Sequence, residues 1–121
     1  MEFLNKIEVR GVVGRADHNT YNGMRVSNFS VVTEASVKDK ENGSVIEPTW
    51  FNVSAWDGVK GGEDFARVKK GDWVHVTGRL RLRKYTNQEQ EERSSLDIQA
   101  RLVEILSREG EEDPTMQPQR D

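Results

Sequence analysis

The chain has 121 residues, 34% of them apolar and 32% charged, a balance suited to one small, highly solvated domain with a modest core. It contains no cysteine, which excludes disulfide scaffolds, thiolate metal sites and cysteine nucleophiles. The formal charge of −3 argues at first against a polyanionic partner. However, Glu109, Glu111, Glu112, Asp113 and Asp121 against Arg108 and Arg120 account for all of it, leaving the body neutral with room for a local basic face.

Residues 5–14 read as a first strand, with Ile7, Val9, Gly11 and Val13 alternating against Lys6, Glu8, Arg10 and Val12. A turn cluster follows at 19–23, where Asn22-Gly23 suits positive φ. The second strand spans 24–35 around Val26, Phe29 and Val31, and a polar loop covers 38–44. Residues 47–57 form a third strand of strict alternation. One of its faces carries Trp50, Asn52, Ser54 and Trp56, and the other carries Phe51, Val53 and Ala55. The set with Val and Ala at its middle fits a barrel interior, so the tryptophans face outward, about 20 Å apart at about 3.3 Å per residue. Residues 62–69 look like a short helix ended by Gly71, with Phe65 and Val68 on one side.

The fourth strand, 72–85, holds the basic ladder Arg79-Leu80-Arg81-Leu82-Arg83-Lys84-Tyr85. Its period of two sends Leu80 and Leu82 to the core and Arg79, Arg81, Arg83 and Tyr85 to one outer face. A fifth strand covers about 93–106. From 107 onward Gly, Pro, Gln and acids predominate, so 107–121 reads as a short acidic, disordered tail. Five strands with one helix between the third and fourth predict an all-β, five-stranded Greek-key OB-fold barrel over 1–106.

Guanidinium groups interleaved with aromatics on a sheet suit a flexible polyanion with stackable bases. A basic strand on a solvated sheet edge is the simpler reading of the ladder, and the tryptophan strand weighs against it. Catalytic readings find no support. His18 and His75 lack metal-ligand spacing, and Gly11-Val12-Val13-Gly14 lacks the lysine and helix of a phosphate loop. The expectation is a non-enzyme without cofactor or metal. No run reaches the ~18 apolar residues of a membrane span, and the first residues lack a signal-peptide pattern, so a cytoplasmic location is expected, nucleoid-associated when bound to DNA.

The ordered segments 4–7, 11–15, 26–31, 38–40, 48–53, 68–72 and 76–85 resemble the bacterial single-stranded DNA-binding protein family. They read LNKI, GVVGR, VSNFSV, KDK, PTWFNV, VKKGD and VTGRLRLRKY. The resemblance implies an OB-fold that binds single-stranded DNA with little sequence preference, usually as a homotetramer, in replication, recombination or repair. It places stacking aromatics at Trp50, Trp56 and Tyr85, and backbone contacts at Lys6, Lys69, Lys70, Arg81, Arg83 and Lys84. Two positions depart from the family pattern. Val37 stands where a further aromatic is common, and the tail ends in Gln117-Pro118-Gln119-Arg120-Asp121 rather than an apolar tip. Recruitment of replication or repair proteins through that tip is therefore in question. A primosome-type protein-interaction module and a single-stranded RNA binder are the other readings of the same face.

Overall fold

The computed structural model describes residues 1–108. Five antiparallel-dominated strands close on themselves: β1 (Ile7–Tyr21), β2 (Met24–Asp39), β3 (Gly43–Trp56), β4 (Trp73–Thr86) and β5 (Glu92–Ser107). Their order around the barrel is β1-β2-β3-β5-β4. Only β3 and β5 run parallel, through three residue pairs from Asn52–Asp97 to Ser54–Gln99. The expected all-β OB barrel is what the chain forms, and the alternation of apolar residues supplies its interior. Val9, Val13, Phe29, Val31, Val53, Ala55, Val74, Val76, Ile98 and Val103 are all buried in one cluster.

Between β3 and β4 the expected helix over 62–69 is only a single 3₁₀ turn, Asp64–Ala66. Gly61 and Gly62, both at positive φ, stand where a helix would need its first turn. The segment nonetheless does a helix's packing work, because Phe65 and Val68 are buried against the barrel core. Arg25 lies over the Phe65 ring, with its guanidinium carbon 5.1 Å from the centroid.

The strands outrun the barrel. Pairing of β1 with β2 begins at Val12–Val32, and β2 continues alone with β3 as far as Asp39–Gly43. The turn expected over 38–44 is correspondingly tighter, and the 19–23 cluster narrows to Asn22-Gly23, with Thr20 and Tyr21 still paired in β1. On the other side, β4 pairs with β1 only from Gly78 back to Trp73, and with β5 all the way to Thr86–Glu92. Asn5 marks the limit of the three-strand region. Its amide nitrogen donates to the Leu80 carbonyl at 2.8 Å, and its amide oxygen accepts from the Leu80 N–H at 2.9 Å. Residues 81–86 and 92–96 therefore form a two-stranded arm.

That arm corrects one expectation. Leu80 packs against the core, opposite Ile98, but Leu82 does not reach it. Leu82 and its cross-strand partner Leu96 are 56% and 60% exposed. The parity of the ladder is right, but past Leu80 no strand lies across the barrel to cover the apolar side.

Leu82→Ser should change the urea-unfolding free energy by no more than about 0.5 kcal/mol, whereas Leu80→Ser should cost about 1–3 kcal/mol. Equal losses at both positions would contradict the arm.

Candidate nucleic-acid interface

The outer face of β3 is built as its alternation requires. Trp50 and Trp56 are 59% and 38% exposed, with Asn52 and Ser54 between them. Trp50 leans across β2 onto the bulge that interrupts β1 between Val13 and Arg15. A Cβ on Gly14 would lie 2.5 Å from its ring, so the absence of a side chain there is what seats the indole. Trp56 is held by neighbours as well: its ring lies 6.5 Å from that of Tyr21, and it sits opposite Val26, which is buried outside the main core cluster.

Closure of the barrel brings the basic strand beside this face. A groove of about 450 Å³ is lined by Asn52 and Ser54 of β3, Asp97 and Gln99 of β5, and Arg81 and Arg83 of β4, with Arg15 and Asn28 at its far side. Ser54 Oγ donates to Asn28 Oδ1 at 2.9 Å, tying β2 to β3 across the floor. Arg79 Nε donates to Gln99 at 2.8 Å, and Arg83 Nε donates to Asp97 at 2.8 Å. Arg83 also lies over the Tyr85 ring, 5.4 Å from its centroid, and Tyr85 is 43% exposed. Arg81 has no ion-pair partner among the described residues.

Two further depressions continue the groove. One, about 500 Å³, is lined by Arg15, Arg67, Lys69 and Lys70. The other, about 480 Å³, is lined by Trp56, Lys60, Arg79, Gln99 and Arg101. Arg15 lines both the groove and the first of these depressions, and Gln99 lines both the groove and the second, so the three share lining residues.

The Lys69–Lys70 turn is fixed from below. Asp72 is fully buried, and its Oδ2 accepts from the Lys69 N–H at 3.0 Å. The same oxygen lies 3.8 Å from Arg108, which follows directly on β5. His18 Nε2 donates to the Val68 carbonyl at 2.8 Å while its Nδ1 meets Ser27 Oγ at 2.7 Å, the tautomer being set by the carbonyl's inability to donate.

Of the residues expected from sequence, Trp50, Trp56, Arg81, Arg83 and Tyr85 share the outer surface around the groove, and Lys69 and Lys70 flank it across Arg15. Lys84 projects from the opposite face of β4, with Leu82. Lys6 lies between Asn5, which is tied to Leu80, and Ile7, which pairs with Gly78, and lines none of the three depressions. Val37 pairs with Val45 in the β2–β3 arm, apart from the groove. The expected tail is described only at Ser107 and Arg108, and 109–121 lie outside the described residues.

Sequence reading missed Arg15, Asp97, Gln99 and Arg101. Arg15 follows the Gly14 bulge, which shifts it relative to β2. The other three become part of the site through the long-range pairing of β5 with β4 and β3, which no local pattern announces.

A closed five-stranded barrel in this strand order, with exposed aromatics and a guanidinium-lined groove on its outer face, is an OB-type domain. Residues 4–106 match the single-strand binding protein family, and the chain belongs to that family. It is 36% identical over 107 residues to the single-stranded DNA-binding protein of Neisseria meningitidis serogroup B, covering 85% of this chain and 60% of that protein. It is 32% identical over 110 residues to that of Xanthomonas campestris pv. campestris, covering 89% and 63%. The chain thus spans less than two thirds of the length of these relatives. Among solved structures, the Plasmodium falciparum SSB in complex with ssDNA superposes with a TM-score of 0.73 at 24% identity, covering 88% of this chain and 98% of that one. A deletion mutant of the Thermus aquaticus single-stranded DNA binding protein gives 0.69 at 19% identity, covering 86% and 51%. Both likenesses are of fold.

One ion cluster anchors the Trp56 end of the surface. Arg25 donates to Asp57 Oδ1 at 2.7 Å and to Glu63 Oε1 at 2.7 Å. These hydrogen bonds, reinforced by the guanidinium charge, hold both carboxyls below the usual carboxylate range. Their stabilisation is present above the unfolded carboxyl pKa of about 4 and is lost as pH falls through the lowered folded values. The stability difference between wild type and Arg25→Gln should therefore stay level from pH 7 to about 5 and shrink below about 4, read from urea midpoints across pH. A gap that widens on acidification would refute the assignment.

Proposed function

We propose that this chain binds single-stranded DNA with little sequence preference, as a non-catalytic, cytoplasmic protein of replication, recombination or repair. The carrying observation is that Trp50 and Trp56 stand exposed on the same surface as the Arg81–Arg83 groove. Bases stack on the aromatic faces, each contributing on the order of 1–3 kcal/mol, and the cations follow the phosphates. Stacking needs only a π-face, which every base has, so the surface tolerates sequence. Family membership and the names of the relatives support the reading.

In this reading 1–106 is the binding unit and 107–121 an acidic appendage. Trp50, Trp56 and Tyr85 are the stacking platforms. Arg81, Arg83, Lys69 and Lys70 are the backbone contacts, joined by Arg15; Lys6 and Lys84 are peripheral ones. The chain acts as a homo-oligomer, a tetramer by family pattern. One barrel offers few platforms, and linked copies raise the effective concentration of binding faces along a strand.

Titration with oligo(dT) should quench tryptophan emission, and log K should fall with log[salt] at a slope of about −3 to −4 if five cations each meet a phosphate. Trp50→Ala should weaken binding by about 1–3 kcal/mol, with the quench reduced. Unchanged emission at low salt, together with no mobility shift, would refute the proposal.

A further inference from the structure

A carboxylate in the middle of a groove for a polyanion calls for explanation. Asp97 lines the groove between Asn52 and Arg83, and its side chain is mostly buried, at 18% exposure. By charge alone it should repel a phosphate chain passing Arg81 and Arg83.

Its geometry gives it another role. Asp97 is not directly opposite Arg83; the cross-strand partner of Arg83 is Ser95, and Asp97 lies two residues further along β5, opposite Arg81. The Arg83 side chain runs diagonally back along the arm to meet it, a reach typical of long side chains on paired strands. The contact uses Arg83 Nε and Asp97 Oδ2, at 2.8 Å. The terminal guanidinium nitrogens make no hydrogen bond among the described residues. A second contact comes from the Tyr85 ring, whose centroid lies 5.4 Å from the guanidinium carbon.

Resting on the single-stranded DNA reading above, we propose that Asp97 is a positioning residue. It takes the inner nitrogen of Arg83, which leaves the outer two unpaired at the groove and keeps the guanidinium over the Tyr85 ring. A bidentate grip on the carboxylate would have taken up one or two of the four terminal N–H groups; this one-point grip leaves all four for a phosphate. The long Arg83 side chain is then ordered before DNA arrives, and less rotamer entropy is lost on binding. Tyr85 and Arg83 become one unit, a base platform with a phosphate clamp at its edge, and Asp97 sets the distance between them.

The sign of the effect separates positioning from simple repulsion. Removing a negative charge from the groove should tighten DNA binding if Asp97 merely repels or competes. Positioning predicts the opposite: Asp97→Asn and Asp97→Ala weaken oligo(dT) binding roughly threefold to tenfold, the scale of one ordinary hydrogen bond, with Asn the milder. The salt slope should drop by about 0.7, one phosphate contact. In an Arg83→Ala background the loss should vanish, because Asp97 acts only through Arg83.

Asp97→Asn keeps the shape of the side chain, so a melt matching wild type keeps the comparison interpretable should Asp97→Ala fold poorly. Equal or tighter binding by Asp97→Asn would overturn the inference, as would a weakening that persists without Arg83. If the wild-type chain failed to bind oligo(dT) at all, the underlying functional reading would fall as well, and that outcome is read before any variant is made.

Discussion

Between β3 and β5 the barrel closes through three residue pairs, Asn52–Asp97, Val53–Ile98 and Ser54–Gln99. Among the named strands of the described residues this is the one parallel pairing, the others being antiparallel. Inward it buries Val53 and Ile98 in the core. Outward it sets Asn52 and Ser54 beside Asp97 and Gln99, and through them it sets Trp50 and Trp56 beside Arg81 and Arg83. Without that closure the aromatic and basic strands would be separate edges, each explicable as a solvated surface. With it they share one groove.

The barrel and its arms divide the labour. Inside the barrel the alternation of side chains is enforced by burial, and a register slip of one residue would turn every core valine to solvent. Beyond Leu80 that enforcement ends, and the arm leaves Leu82 and Leu96 exposed on the face opposite its arginines. The arm can therefore place Arg83 and Tyr85 for contact rather than for packing. Fixed points sit at its base: the paired hydrogen bonds of Asn5 to Leu80, and the hold of Asp97 on Arg83. At the opposite end of the surface, Arg25 with Asp57 and Glu63 fixes the chain just after Trp56.

Much of this was legible in the residues themselves. Strict alternation at 47–57 reveals both the strand and the outward tryptophans, because two indoles flanking Asn and Ser make a poor barrel interior. The Arg-Leu ladder shows its parity equally well. Its extent was not legible: nothing local in Leu82 distinguishes it from Leu80, since the difference lies in whether β1 and the core reach that far. The segment at 62–69 carries the apolar spacing of a helix, but Gly61-Gly62 holds it to one 3₁₀ turn. Asp97 carries no local signal in the sequence. Its part in the site depends on a diagonal contact across β4 and β5 and on the non-local closure to β3, neither of which has a sequence period.

The proposed function requires that bases meet the surface made by joining the tryptophan strand to the basic strand, and not another face of the barrel. Photo-crosslinking of a 5-iodouracil-substituted oligonucleotide, mapped by peptide mass spectrometry, tests it directly. Trp73 on the β1–β4 side serves as an internal control, being a partly accessible indole away from the groove. The account predicts adducts at Trp50, Trp56 and Tyr85, with none at Trp73. Adducts concentrated at Trp73, with the groove aromatics unmodified, would contradict it.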